Sequence, residues 1–239
     1  MNNKILATVI SDTHCKLGNI INELPKSEIL LSAGDNLNSG SMEEFIRFCN
    51  ILGNIHKNYR LILITAGNHC HIIEKELGLC KEIFKEKVPN GHLLIDEEYV
   101  YKGIKFYLSP WSPRFGYYSF QLDGNDGKRI WSKIPEDTDF LITHSPPYSI
   151  FDTVEFLTKN ETDVHVGCKY LLERIQQLNL KCHVMGHIHS GYNAKRMANP
   201  KFNNTLFINA SICTEEYIPS NKPWLIEIDI LTKEVEVVE

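Results

Sequence analysis

Short apolar runs recur along the chain, and several stop abruptly at Gly, Asp, Asn or His: ILATVISDTH from Ile5, ILLSAGDN from Ile29, LILITAGNH from Leu61, FLITHSPP from Phe140 and CHVMGHIH from Cys182. Unbroken runs of this length are the pattern of strands buried on both faces. Between them, apolar residues return at helical spacing: Phe45, Phe48, Cys49, Leu52 and Ile55; Ile73, Leu77, Cys80 and Phe84; Cys168, Leu171, Leu172, Ile175 and Leu178. Alternating strand and helix predicts an α/β layered fold with at least part of the sheet parallel. The C-terminal stretch differs. Trp224, Ile226, Ile228 and Ile230 alternate with Leu225, Glu227 and Asp229, and Val235 and Val237 alternate with glutamates after a Leu-Thr-Lys turn. That period of two predicts a closing antiparallel hairpin, expected in a second sheet.

With 239 residues, 43% of them hydrophobic, the chain can bury a sizeable core. No repeat, low-complexity tract or Pro/Ser/Gly linker divides it, so one domain over residues 1–239 is expected. The formal net charge is -5, which offers no basic field for a phosphate backbone, and no stable nucleic-acid partner is expected. Seven cysteines lie scattered with no CxxC pair. Neither a disulfide framework nor a thiolate zinc site is suggested. The first apolar run is short and leads straight into polar residues, and nothing approaches a membrane-spanning length. No membrane partner and a cytoplasmic location are expected.

The polar residues that end the strands carry the chemistry: Asp12 and His14, then Asp35, then Asn68 and His69, then His144, then His187 and His189. In open α/β sheets ligands gather beyond the carboxyl ends of strands, where loops splay apart. In an extended segment alternate residues point the same way, so the D-x-H and H-x-H spacings can each face one ion. Mixed nitrogen and oxygen donors without thiolate suit Mn, Fe or Zn and are poor for Ca or Mg. The donors outnumber what one ion accepts. Two divalent ions sharing a carboxylate are the economical arrangement, with Asp35 as the bridge.

The ordered motifs SDTH from Ser11, GD from Gly34, GNH from Gly67, THSPP from Thr143, VGCKYLL from Val166, HVMGHIHSGY from His183 and INASICTEEYIPSNKP from Ile208 resemble the calcineurin-like metallophosphoesterase superfamily over nearly the whole chain. The closest likeness is to the branch of metallophosphoesterase-domain-containing phosphodiesterases. The resemblance implies a four-layer αββα sandwich with mixed sheets and a dinuclear metal site at the strand C-terminal ends. It implies that Asp12, His14 and His189 hold one ion with Asp35, and that Asn68, His144 and His187 hold the other, again with Asp35. Manganese is the ion expected to serve in vitro. Some branch members lack the first histidine of the HIH turn; His187 supplies it here. The implied activity is hydrolysis of small phosphodiesters, cyclic nucleotides among them. Hydroxide bridging two ions, its pKa lowered toward ~7, would attack phosphorus, and His69 would protonate the departing oxygen. The alternatives are a phosphomonoesterase on the same centre, or a weakly active metal- and nucleotide-binding scaffold.

Two departures bear on this reading. The family usually has Asp or Glu after GNH to orient the histidine, where this chain has Cys70; His71 or Glu74 could substitute. Phosphoprotein phosphatases continue GD into an Asp-Arg-Gly element, where this chain reads GDNLNSG, which weakens a protein-phosphatase reading. Substrate contacts are expected from Asn68, His69, His144, Asn36 and Arg114, with Ser211 a further candidate. The segment SPWSPRFGYYSF, from Ser109, reads either as a lid that stacks on a nucleobase while Arg114 meets a phosphate, or as aromatic packing over a sheet edge. Packing is the favoured expectation. His56, His71, His92, His165 and His183 are expected to be structural or surface residues, and Cys15 and Cys70 small apolar filler.

Overall fold

A computed structural model describes residues 3–154, 164–198 and 200–238. In chain order the strands are β1 (Lys4–Ile10), β2 (Ile29–Ser32), β3 (Leu61–Ile64), β4 (Gly91–Leu93), β5 (Glu97–Tyr101), β6 (Ile104–Ser109), β7 (Ser112–Pro113), β8 (Gln121–Leu122), β9 (Phe140–Thr143), β10 (Cys182–Met185), β11 (Asn193–Met197), β12 (Thr205–Asn209), β13 (Trp224–Asp229) and β14 (Val235–Val238). The helices are α1 (Leu17–Ile20), α2 (Met42–Ile55), α3 (His71–Lys75), α4 (Leu77–Lys87), α5 (Asp126–Trp131) and α6 (Lys169–Ile175).

One sheet has the order β14-β13-β1-β2-β3-β4, and the other β11-β12-β10-β9-β6-β5. In the first, β1 to β4 run parallel; in the second, β6, β9, β10 and β12 do, with antiparallel strands at the edges. Alternate residues of each strand serve different layers. Val9, Leu31 and Leu63 meet Phe106, Phe140, Ile142, Val184 and Ile208 between the sheets. Leu30, Ile62 and Ile64 pack outward against Phe45, Phe48 and Leu52 of α2 and Phe84 of α4. Tyr107, Leu141 and Phe207 pack outward against Trp131 of α5 and Leu171 and Ile175 of α6. The result is the expected helix, sheet, sheet, helix stack, and burial on both faces is why the strands read as unbroken apolar runs.

Two expectations are corrected. The C-terminal hairpin β13–β14 does not build a second sheet: β13 pairs antiparallel with β1, from Lys4 against Asp229 to Val9 against Trp224. Ile226, Ile228 and Val235 still face the core between the sheets. Alternation reports which face is buried, and a hairpin on either sheet would show the same period. The stripe from Ile73 to Phe84 is also broken in two, at Glu76 (φ -129°, ψ 45°), which ends α3 and starts α4.

The strand ends are level. Ile10 pairs with Ser32, Ser32 with Ile64, and in the other sheet Ser109 with Thr143. An isolated parallel bridge between Ser11 and Ser211 ties the two halves together at that edge. The loops beginning at Ser11, Ala33, Thr65, His144 and Gly186 therefore leave from one edge.

Behind that edge lies His183, fully buried on β10. Thr143 Oγ1 donates to the Ser145 carbonyl at 2.8 Å and so must accept from His183 Nε2 at 2.8 Å, which leaves His183 Nδ1 bare and without a partner. Burial pushes this imidazole down to about 3 from the usual 6.5. Because the folded state then binds fewer protons than the unfolded chain below pH 6.5, stability must fall as pH drops from 6.5 towards 3. Denaturant titrations of metal-stripped protein between pH 7 and pH 4.5 are expected to show this slope, and His183→Gln to flatten it; an unchanged slope in the variant would assign the acid sensitivity elsewhere.

Candidate metal centre

The loops bring expected donors together in three overlapping groups, one of which also takes in His69, expected as an acid and not as a ligand: Asp12, His14 and His189; His14, Asp35 and His69; and Asp35, His144 and His187. Within each group the donor atoms lie within 4.8 Å of one another, close enough to share an ion. His14 Nε2 is 3.1 Å from His189 Nε2. Asp12 Oδ1 is 3.9 Å from the first nitrogen and 3.5 Å from the second. On the other side, His144 Nε2 stands 3.2 Å from Asp35 Oδ2 and 3.0 Å from Asn68 Oδ1.

Holding these donors in place requires unusual backbone. Asp12 (φ 50°), His14 (39°), Cys15 (62°), Asp35 (45°) and His187 (68°) all occupy the left-handed region, which non-glycine residues adopt at a cost of roughly 1–3 kcal/mol each and which collects at functional sites. Gly67 is needed for close approach: a Cβ there would lie 2.6 Å from the His144 ring. At Gly186 a Cβ would collide with the side chains of Asp12 and Ser11.

Backbone and side-chain partners orient Asp12, Asp35, His144 and His189, while His14 Nδ1 is buried without a partner. Asp12 Oδ2 accepts from the His187 amide and from Ser211 Oγ, both at 2.9 Å. Asp35 Oδ1 accepts from the His69 amide at 2.8 Å. His144 Nδ1 donates to the Ala33 carbonyl at 3.0 Å and His189 Nδ1 to the Thr214 carbonyl at 2.8 Å, so each presents Nε2 to the centre, the usual arrangement of a ligating histidine. Asp12 Oδ1 is buried without a hydrogen bond of ordinary length, the nearest imidazole nitrogen being His189 Nε2 at 3.5 Å. A buried carboxylate oxygen left this way is costly, and a cation held between it and the two Nε2 atoms satisfies it. The donor set therefore fits divalent metal.

Charge tells the same story. Burial opposes ionisation of Asp12, yet the histidines around it hold it well below the usual carboxylate range. Asp35, also opposed by burial, is held at about 2, chiefly by His144. Burial pushes His14 down to about 4 against the pull of Asp35 and Asp12, so its lone pair is available at neutral pH. His189 goes the other way, up to about 9, because contact with Asp12 outweighs its burial. An incoming cation displaces that proton.

His69 is half-buried beside these groups, its ring centroid 4.9 Å from that of His14. Its Nδ1 donates to the Asn38 carbonyl at 2.6 Å, leaving Nε2 for the cleft. Neither residue expected to replace the missing acid does so: His71 Nδ1 is bonded to Ser119 Oγ at 2.7 Å, and Glu74 accepts from the Phe120 amide at 2.8 Å. The carbonyl is instead fixed by Glu44 of α2, whose Oε2 accepts from the amides of Asn38, Ser39 and Gly40 at 3.0, 2.9 and 3.0 Å. Sequence reasoning missed Glu44; the only trace was its place three residues after Ser41, the position of a capping partner. Cys70 is buried, with Sγ 3.9 Å from Asp35 Oδ1.

A cleft of about 500 Å³ opens over the centre, lined by His14, Asp35, Asn68, His69, His187 and His189 below and by aromatic and apolar side chains above. The 109–120 segment supplies one wall: Phe115 and Tyr118 stack with centroids 4.9 Å apart, and Phe115 lies 5.2 Å from the His187 ring. The same segment also packs, since Trp111 Nε1 donates to Asp96 at 3.1 Å and Trp111 meets Phe120 edge-on. Arg114 lines the cleft, but its Nε is bonded to Asp123. Asn36 does not reach the cleft: it is buried and spends its amide on Ser32 Oγ at 3.0 Å and its oxygen on Thr13 Oγ1 at 3.3 Å. Ser211 is also buried, as a donor to Asp12. Tyr217, part of the INASICTEEYIPSNKP motif but not among the expected site residues, forms a further wall, with its ring 4.6 Å from His14 and 5.5 Å from His189.

The family model for Calcineurin-like phosphoesterase matches residues 5–191, and the chain belongs to that family. It is thus a metallophosphoesterase, a hydrolase of phosphoester bonds, in a family that generally uses two divalent metals. Within it the chain sits with the metallophosphoesterase-domain-containing branch. Metallophosphoesterase domain-containing protein 1 of Homo sapiens is 32% identical over 240 residues, spanning 92% of this chain and 69% of that protein. A UPF0046 protein of Caenorhabditis elegans is 30% identical over 243 residues, spanning 95% and 82%. The crystal structure of TT1561 of Thermus thermophilus covers 98% of both chains with a TM-score of 0.58 at 11% identity, a likeness of fold alone. Among the described residues no helix is long and apolar enough to cross a membrane.

Glu44→Ala should release the 38–40 turn and with it the His69 ring. Broadened His69 imidazole resonances are expected, with phosphoester turnover lowered roughly tenfold, the scale of losing an orienting partner; Glu44→Gln, which keeps an acceptor, should lose much less. Equal losses in the two variants would show that the carboxylate acts by charge and not by holding the turn.

Proposed function

We propose that the chain is a phosphodiesterase for small phosphodiesters, cyclic nucleotides being the class to which the branch resemblance points, and that residues 1–239 act as one domain in the cytoplasm. The observation that carries this reading is that two of the donor groups share Asp35 and the third joins them through His14. In it, Asp12, His14, His189 and Asp35 hold one ion, and Asn68, His144, His187 and Asp35 the other. The mixed nitrogen and oxygen donors suit Mn, Fe or Zn, with Mn the ion for loading in vitro. When bound, the pair supplies charge neutralisation for the phosphoryl oxygens and an activated water nucleophile at neutral pH.

The chain's own residues do the rest. His69, fixed through Nδ1 by the Asn38 carbonyl, holds Nε2 in the cleft to protonate the departing oxygen. Asn68 lines the cleft where phosphoryl oxygens are expected, whereas the expected substrate contact His144 is fully buried, does not line the cleft and meets the centre through Nε2 beside Asp35 and Asn68. The rings of Phe115, Tyr118 and Tyr217 line the cleft above the donors. Diester preference follows from charge. A monoester brings close to a second negative charge at pH 7, while GDNLNSG contributes no arginine and Arg114 is already paired with Asp123.

A phosphomonoesterase is the second reading, because the same donor groups would neutralise either ester. The scaffold reading loses its motive: Cys70 removes a carboxylate from beside His69, but the ring is oriented without it.

Hydrolysis of a bis-aryl phosphate and of the matching aryl monophosphate by manganese-loaded protein tests this. Diester turnover is expected to dominate and to fall by roughly two orders of magnitude or more in Asp35→Ala and His187→Ala, with bound manganese reduced in both. Dominant monoester turnover would transfer the assignment to the second reading, and stoichiometric manganese without turnover of either ester would revive the scaffold.

A further inference from the structure

Glu215 stands on the loop after β12 and lines the cleft together with Tyr217, Tyr118 and Phe115. Its carboxylate is not a wandering surface charge: Oε1 accepts from the Ser190 amide at 2.9 Å, inside the turn that carries His189. Across the cleft, the cation of Arg114 is neutralised by Asp123. Beyond the metal donors, the part of the cleft that would receive the non-reacting arm of a substrate thus presents, among the described residues, one fixed negative charge, exposed aromatic faces and apolar side chains such as Val154, Val166 and Ile188. Aromatic faces attract cations through their quadrupole, most strongly in partly desolvated sites. A carboxylate beside them adds to that attraction and repels anions, and in a cleft of low-dielectric walls the field is focused.

We propose that Glu215, with Tyr217, Tyr118 and Phe115, makes the cleft select phosphodiesters whose non-reacting arm carries a positive charge, as an alkylammonium alcohol does, and reject arms that carry a second negative charge. This rests on the phosphodiesterase reading above. The selected substrate is a zwitterion overall: its phosphodiester anion meets the metal centre and its cationic arm the opposite wall. Neutral arms rank between the two. The pairing of Arg114 with Asp123 is part of the device, since a free guanidinium at the rim would attract the anionic arms that Glu215 repels.

Three para-nitrophenyl phosphodiesters test the idea, alike except for an arm ending in trimethylammonium, an uncharged branched alkyl group or a carboxylate. Calorimetric binding of the three matching non-hydrolysable phosphonates accompanies them, all on the manganese-loaded full chain. The expected order of both kcat/KM and affinity is ammonium, then alkyl, then carboxylate. Glu215→Gln keeps the acceptor for Ser190 and should shrink the span from ammonium to carboxylate by roughly three- to tenfold, the effect of one partly solvated charge at this range. Asp123→Asn, which frees Arg114, should improve the carboxylate arm by a similar factor without the loss of ammonium affinity seen at Glu215. A wild-type protein indifferent to the arm's charge, or a span from ammonium to carboxylate unaltered in Glu215→Gln, would overturn the proposal. Turnover of the neutral diester decides the phosphodiesterase reading, while the phosphonate affinities decide this one whether or not turnover occurs.

Discussion

Two carboxylates are buried side by side where the strands end, Asp12 at 0% and Asp35 at 2% exposure, and much of the surrounding structure answers that constraint. An isolated buried charge costs several kcal/mol, and it persists only where hydrogen bonds and opposite charge offset the lost water. Asp35 receives the His69 amide and the His144 imidazole; Asp12 receives the His187 amide and the Ser211 hydroxyl. The oxygen left over, Asp12 Oδ1, faces two imidazole nitrogens at 3.5 and 3.9 Å and accepts no hydrogen bond of ordinary length. Such an arrangement makes sense for a site that a cation completes.

Those hydrogen bonds demand amides turned inward and side chains brought within reach, which ordinary extended loops do not provide. Hence the cluster of left-handed residues at Asp12, His14, Asp35 and His187. Strain of this kind persists only where the surroundings over-determine it. The surroundings here are level strand ends locked by two-sided burial: the Phe106 and Phe140 rings sit 5.2 Å apart between the sheets, and burying each such side chain contributes on the order of 1.5–3 kcal/mol. The rigid core lets the loops hold a conformation that they would not adopt alone.

This division of labour explains what the sequence reveals. Strands buried on both faces leave runs such as LILI and FLIT, and donors fixed at strand ends leave GD, GNH and GHIH, so the layers and the donor set are both legible. Less legible is anything that depends on which partner a segment meets. The hairpin β13–β14 shows its period but not that β1 is its neighbour. The orienting partner of His69 is a backbone carbonyl, which no side-chain pattern can announce, and Glu44 acts on that carbonyl from a helix start that looks like simple capping. Asn36 illustrates the opposite error: a polar residue next to a ligand invites a substrate role, yet its amide is consumed by the turn that shapes Asp35's loop. The 109–120 segment defeats an either-or reading, since Trp111 and Phe120 pack while Phe115 and Tyr118 face the cleft. One loop can do both because its residues face opposite sides.

The donors also divide between the sheets, and this sets how the site relates to stability. Asp12, Asp35 and Asn68 follow strands of the first sheet; His144, His187 and His189 follow strands of the second. The contacts that assemble them cross from one to the other: His144 to the Ala33 carbonyl, the His187 amide and Ser211 to Asp12, and the bridge from Ser11 to Ser211. Among the described residues the group of His14, Asp35 and His69 lies on loops of the first sheet alone, whereas the groups that pair Asp12 with His189 and Asp35 with His144 draw on both sheets. The full set of donors therefore assembles only when the two sheets are docked, and an ion that needs donors from both favours the docked state. A centre built for chemistry is in this way also a clasp between the two sheets.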